Sequence, residues 1–399
     1  MQISHDQWEL PFFNNAHREL ANELHKWCSL QKIDESDDRR ACLQWVSLLA
    51  KGEWLKYCVP KADGGQLEEL DSRSLVILRE TLSQYSALAD FSFAMQGLGS
   101  GAITLAGTIA QKKTYLSSVS KGEKIAAFAL SEECAGSDVA AMSMRATATA
   151  DGFVLNGEKT WISNGGLADF YVVFCKTEMD QGSRGISAFI VDANTKGLDA
   201  TEHLQVMSPH PLAKIKFTNC HVLNSQLLGG LNQGFKIAMQ TLDIFRASVA
   251  GAAIGMARRA LWEAKTYAAN RSMFNQKLID FQISQASLGQ MLGLIDSAAL
   301  LTYRAAWFRD VIMLESSRNC LTPIQQKDNL KKYSQLAALA KLTATENAQK
   351  VVDMALQMHG GRGVLVGQKI EALYRDIRAL RIYEGASEVQ QLIIGKSLI

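Results

Sequence analysis

The residue best suited to move a proton is Glu384, in the run Arg381-Ile-Tyr-Glu384-Gly-Ala386-Ser387. Apolar and small neighbours leave its carboxylate little water, and burial of that kind raises a carboxyl group toward the range of a useful base. Trp161 and Ser163 lie two apart in Lys159-Thr-Trp-Ile-Ser163, so alternation puts them on one face of a strand. An aromatic plane beside a hydroxyl suits a flat heterocycle, one packing on the ring and the other bonding its edge. In Phe128-Ala-Leu130-Ser131 a short apolar strand delivers a hydroxyl, and a small-residue turn then presents Ser137 and Asp138. Such a turn offers hydroxyl and N–H donors to phosphate or ring oxygens. Arg271, Phe274 and Gln282 set a cation and an amide around aromatic side chains near a helix start, a grip for a pyrophosphate. Gln357 precedes Gly360-Gly361, a pair that lets backbone approach a ligand closely. Asp243 and Arg246 stand one helical turn apart. Taken singly, each motif also fits an ordinary role: a strand and an N-cap, a core Trp, a surface ion pair, a turn with solvated charges, a Glu at a helix end. Their order along the chain gives them weight.

Three regions must position these groups. Residues 1–123 read as helices, with Leu75, Leu78, Leu82 and Tyr85 at the spacing of one helix face and glycines punctuating Gln96–Gly101. Residues 124–232 read as strands: Phe153-Val-Leu155 runs into Asn156-Gly157, a hairpin signal, and Tyr171–Phe174, Ile186–Val191 and Ile215–Phe217 are short β-rich runs. Residues 233–399 are helical again, with Met239, Leu242, Phe245 and Val249 on one face and Ala/Leu/Met/Gln-rich stretches over 280–315 and 333–358. The expected fold is therefore α+β and mostly helical: an N-terminal helical domain, a middle small β-barrel or sheet domain, and a C-terminal helical bundle.

Bulk properties narrow the function. The chain has 399 residues, 47% of them hydrophobic and 21% charged, with a formal net charge of +2. Lysines and arginines are scattered, which argues against nucleic acid. Five prolines and no Gly/Ser-rich stretch predict closely joined domains. The seven cysteines form no CxxC pair, so no metal site is expected and a reducing compartment is. The segment MQISHDQWELPFF has no basic-then-apolar pattern of a secretory signal, and no apolar run of membrane-spanning length stands out. A cytoplasmic protein without membrane insertion is expected, or a mitochondrial matrix protein in a eukaryote.

From about residue 75 to the C-terminus the motifs, in this order, resemble those of the acyl-CoA dehydrogenase family. The resemblance implies FAD as cofactor and a C-terminal bundle of four helices. Phe128, Leu130 and Ser131 would lie against the isoalloxazine ring, with Trp161 and Ser163 beside it and Ser137 at the flavin pyrophosphate or thioester. Arg271, Phe274, Gln282, Gln357 and Gly361 match positions that hold the FAD of a neighbouring subunit, which implies a homotetramer, a dimer of dimers. Glu384 matches the family's commonest base and Arg246 the arginine that helps position it. Some relatives take the base from the residue before that arginine, here Phe245, which holds no proton. The implied reaction is α,β-dehydrogenation of an acyl-CoA thioester, with electrons leaving to an electron-transferring flavoprotein. Relatives acting on carrier-protein-bound acyl groups, oxygen-using oxidases and non-catalytic scaffolds are the competing readings. Glu133-Cys134 replaces a usual Pro-Gly, Asn275 a usual Gly and Ala386 a usual Thr.

Overall fold

The computed structural model describes residues 6–318 and 320–399. Helices α1 (Asn15–Leu30), α2 (Asp38–Lys51), α3 (Ser72–Tyr85), α4 (Ala87–Ala106) and α5 (Ile109–Ser120) open the chain. Most start at a side chain that accepts an orphan N–H: Asn14, Asp37, Asp71 and Thr108 cap α1, α2, α3 and α5. The strands follow: β1 (Ala126–Ala129), β2 (Arg145–Ala148), β3 (Gly152–Ser163), β4 (Phe170–Lys176), β5 (Ile186–Asp192), β6 (Leu198–Leu204), β7 (Leu212–Leu223) and β8 (Leu227–Leu228). The chain ends in α6 (Gly234–Asn270), the two-residue strands β9 (Ser272–Met273) and β10 (Gln276–Lys277), α7 (Gln282–Ser317), α8 (Pro323–His359), α9 (Lys369–Leu380) and α10 (Ser387–Lys396). This is the expected order of helical, sheet and helical domains.

Two compact units draw on interleaved parts of the chain. One joins the N-terminal segment through Gln31 with Asp71–Asp90 and Asp243–Ile399; the other joins Lys32–Leu70 with Phe91–Leu242.

In the first unit, α6 brings small residues to α3. A Cβ added at Gly255 would stand 2.1 Å from the Glu80 carbonyl oxygen, and one at Gly251 would stand 2.9 Å from that of Val76. Ala247, Ala250, Ala252 and Ala253 are fully buried around them. The close approach leaves α3 and α6 backbones nearly in contact, which fixes whatever side chains they carry. By length and composition α6 could cross a membrane, against the expectation that no run would; 78% of its most apolar stretch is buried inside the protein, so that apolarity serves the core.

The second unit contains the eight-stranded sheet, in the order β6-β7-β3-β2-β4-β5-β8, with β1 joined to β4 in parallel. Two expectations fail here. Asn156-Gly157 is not a hairpin turn: it lies inside β3, where the register against β7 shifts between Leu155 and Gly157. Gly157 has φ 137 and an added Cβ would meet Met144 Cα at 2.9 Å, while Asn156 accepts the Asn219 N–H at 2.8 Å. The pair thus makes a bulge, and the turn joining β2 to β3 falls earlier, closed by Thr149 N–H donating to the Gly152 carbonyl at 2.9 Å. Nor do the glycines at Gln96–Gly101 break a helix. They run through α4, and an added Cβ at Gly99 would sit 2.6 Å from Ala126 Cβ, so glycine there lets the helix rest on β1.

Candidate active site

Glu384 sits in the short turn between α9 and α10, and its backbone is in the left-handed region at φ 52, followed by Gly385 at φ 93. A non-glycine residue held there costs roughly 1–3 kcal/mol and persists only where its surroundings impose it. Those surroundings are on hand. Lys341 Nζ on α8 donates to the Gly385 carbonyl at 2.7 Å, and Gln390 Nε2 on α10 donates to the same oxygen at 3.0 Å. Below the turn, Glu346 accepts from Arg381 Nε at 2.8 Å and from Ser387 Oγ at 2.6 Å.

The residue as a whole is half-buried, yet both Glu384 carboxylate oxygens are closed to solvent and make no hydrogen bond. Leaving such a group unmade costs about 1–3 kcal/mol, more when it is charged. Burial pushes its pKa up, while Arg79 on α3, Lys341 on α8 and Arg246 on α6 pull it back; Asp90 on α4 adds to the rise. Three cations on three helices thus face one carboxylate. Lys341 is itself pushed down to about 8, by burial first, with Glu384 opposing. Arg246 is buried, ion-paired with Asp243, and its Nε has no hydrogen-bond partner. Asp243 also accepts from Ser334 Oγ at 3.3 Å, and its carbonyl accepts from Tyr333 Oη at 2.7 Å. The Asp243–Arg246 pair is therefore buried rather than the surface pair its spacing also allowed. Phe245 before it is buried and carries no proton-binding group.

Of the residues singled out in the sequence, Glu384 and Arg246 are brought together in this unit. Arg271, Gln357 and Gly361 share a second feature of it, a cavity of about 680 Å³ also lined by Tyr267, His359 and Gly360. Added Cβ atoms at Gly360 and Gly361 would meet nothing within 4 Å, so the backbone there is open to a ligand. Phe274 and Gln282 do not line this cavity; Phe274 is 80% exposed and Gln282 is exposed at the start of α7. Phe274 and Asn275, at φ 48 and 62, form the turn between β9 and β10, and Asn tolerates that left-handed geometry where a Gly would be at ease.

In the other unit, Phe128 packs on Phe174 with ring centroids 4.8 Å apart, and Leu130 is buried. The Ser131 carbonyl accepts from the Thr160 N–H at 3.0 Å and the Leu130 carbonyl from Lys159 Nζ at 2.9 Å, which ties this segment to the end of β3. Trp161 is placed there not by simple alternation but by a bulge between Lys159 and Ile162, at φ 59, leaving the indole 56% exposed while Ile162 is buried. Ser163 Oγ pairs with His210 Nε2 at 3.2 Å, and burial holds His210 at about 3, a neutral imidazole. Ser137 is exposed in the turn beyond Glu132. Glu133 and Cys134, in place of Pro-Gly, are exposed in the same turn.

Sequence reading overlooked Arg79, Asp90 and Lys341. Each is a charge in an apolar helical run, Val76-Ile-Leu-Arg79, Ala87-Leu-Ala-Asp90 and Ala338-Leu-Ala-Lys341, and that mismatch was the available signal. Among the described residues no cluster of three or more His, Cys, Asp or Glu side chains could hold a metal ion.

The chain thus combines helical, sheet and helical domains with a carboxylate that is closed to solvent, makes no hydrogen bond and is set among cations. The chain belongs to the acyl-CoA dehydrogenase family: its N-terminal, middle and C-terminal domain models match residues 14–123, 127–220 and 232–399. The 3-(aryl)acrylate reductase of Clostridium sporogenes is 36% identical over 97% of this chain and 100% of its own. The caffeyl-CoA reductase-Etf complex subunit CarC of Acetobacterium woodii is 35% identical over 96% of this chain and 95% of its own. An acyl-CoA dehydrogenase complexed with FAD from Bacillus anthracis superposes with a TM-score of 0.86 at 29% identity, covering 100% of this chain and 69% of that one. The family is one of flavin oxidoreductases.

Proposed function

We propose that this protein binds FAD and catalyses α,β-dehydrogenation of an acyl-CoA thioester, with Glu384 as the base that takes the α-proton. The observation that carries this reading is the Glu384 carboxylate, shut from water, without a hydrogen bond and held in a left-handed turn. A merely structural Glu would find a donor; this one is kept ready for a proton.

The residues present fit the cofactor. The cavity carrying Arg271, Gln357 and the open Gly360-Gly361 backbone offers a cation, an amide and bare peptide to a pyrophosphate-bearing ligand. Phe128, Leu130, Ser131, Ser137, Trp161 and Ser163 supply aromatic and hydroxyl groups for a flat ring and its phosphates. Arg271, Phe274, Gln282, Gln357 and Gly361 serve the cofactor of a neighbouring subunit in a homotetramer. Bound FAD supplies an acceptor for the hydride lost from the β-carbon.

Glu384 removes the α-proton. Arg79, Lys341 and Arg246 hold positive charge near it, which opposes the rise in its pKa that burial imposes. Exclusion of water strengthens each of these charges. The same proton on Glu384 serves the reverse direction, delivery to the α-carbon of an enoyl thioester, and the two relatives named as reductases favour considering it. The CarC–Etf name supports an electron-transferring flavoprotein as the redox partner. Seven free cysteines agree with a reducing compartment, bacterial cytosol or mitochondrial matrix.

Anaerobic bleaching of the FAD-loaded protein tests this reading. Acyl-CoA thioesters should bleach it, and arylacrylyl-CoA should restore the colour of the reduced form. A protein that bleaches only with carrier-protein thioesters, or with none, rejects acyl-CoA as substrate.

A further inference from the structure

Arg79 is 1% exposed on α3, and its guanidinium is held on every side. Nε and Nη2 donate to the two carboxylate oxygens of Asp90 at 2.8 and 3.0 Å, and Nη1 donates to Ser248 Oγ at 3.1 Å. Ser248 in turn donates to the Phe245 carbonyl at 2.7 Å, one residue before Arg246. The hydrogen-bonded network spans α3, α4 and α6, and Arg79 also acts on Tyr383, beside Glu384 in the chain, opposing the rise that burial imposes on its hydroxyl.

A buried ion pair is poor value for folding alone. Removing two charges from water costs several kcal/mol per ion, and well-packed apolar residues of the same volume often stabilise as much or more. Asp90 and Arg79 therefore call for a role outside stability. The groups facing Glu384 are Arg79 from α3, Asp90 from α4, Arg246 from α6 and Lys341 from α8, and Arg79 acts on it more strongly than the other cations.

We propose that Arg79, locked by Asp90 and Ser248, is a positioning residue that presents a fixed positive charge to Glu384 and favours the ionised form of its carboxylate in a site closed to water. Asp90 tempers that charge. The proposal rests on Glu384 being the base.

The pH dependence of acyl-CoA-driven flavin reduction by the full-length holoenzyme tests it, with an infrared difference titration of the Glu384 carboxyl, referenced to Glu384→Gln, as a readout free of turnover. Base activity requires the ionised carboxylate, so its acid limb follows the Glu384 pKa. Asp90→Asn leaves the cation untempered and should move the limb down by about one pH unit; Arg79→Gln should move it up by about the same amount. Arg79→Gln/Asp90→Asn leaves no buried charge unpaired, so it guards against a misfolded single variant, and its limb should also move up because Arg79 outweighs Asp90. A double variant with the parental limb, or single variants that shift the same way, overturns the proposal. Full turnover by Glu384→Gln would instead remove the base reading beneath it, whereas lost turnover there with unmoved limbs in the Arg79 variants overturns the present proposal alone.

Discussion

Lys341 Nζ donates to the Gly385 carbonyl at 2.7 Å, so a fully buried ammonium on α8 holds the turn that carries Glu384. It acts on that turn twice, as a hydrogen-bond donor to its backbone and as a charge facing the carboxylate.

The first expected outcome concerns stability against pH. Burial holds Lys341 at about 8 in the folded protein against an ordinary 10.5, so between those values the unfolded chain binds the extra proton. Stability therefore rises with pH across that window, by at most about 3 kcal/mol from this residue. Urea unfolding at a series of pH values should show this rise in the parent and lose it in Lys341→Met. Equal slopes would mean that Lys341 titrates normally.

Ala386 occupies the N-cap of α10 with no side-chain hydrogen bond to the helix. A hydroxyl there accepts an orphan N–H, which is typically worth about 1 kcal/mol. Ala386→Thr should raise the chemical-denaturation midpoint accordingly without changing its slope. An unchanged midpoint would mean that the exposed N–H groups are already satisfied.

Arg271 is one of two arginines, with Arg362, lining the cavity that also holds Gln357 and Gly361. Arg271→Ala removes a charge-assisted contact worth about 1.5–3 kcal/mol, so FAD should dissociate about 10- to 150-fold more readily. Fluorescence titration of the apoprotein with FAD measures this, and excess FAD should restore activity. Unaltered affinity would place the cofactor elsewhere.

Much of this molecule was legible from the chain. Leu75, Leu78 and Leu82 are buried on α3, and Tyr171–Phe174 and Ile186–Val191 are neighbouring strands. Their apolar runs are set by burial, on both faces of the two strands and nearly all round α3, which sequence records directly. Glycine was less readable. At Gly99 and Gly157 its lack of a Cβ serves close approach to Ala126 and Met144, and neither local pattern nor turn propensity reveals a partner remote in sequence. Trp161 was found by type, but the bulge that aims it depends on how β3 registers on β7. Glu384 stood out by its neighbours, while Arg79, Asp90 and Lys341 did not, because a charge looks solvated until tertiary packing buries it. What surrounds Glu384 is assembled from α3, α4, α6 and α8, and no single stretch of chain contains it.

The account depends most on Glu384 as the proton acceptor, and single-turnover flavin reduction by Glu384→Gln measures that directly. The amide keeps size and turn geometry but cannot take the α-proton. FAD content should match the parent while the rate of acyl-CoA-dependent bleaching falls by about 100-fold or more. A flavin-replete Glu384→Gln protein that bleaches at near the parental rate would contradict the account.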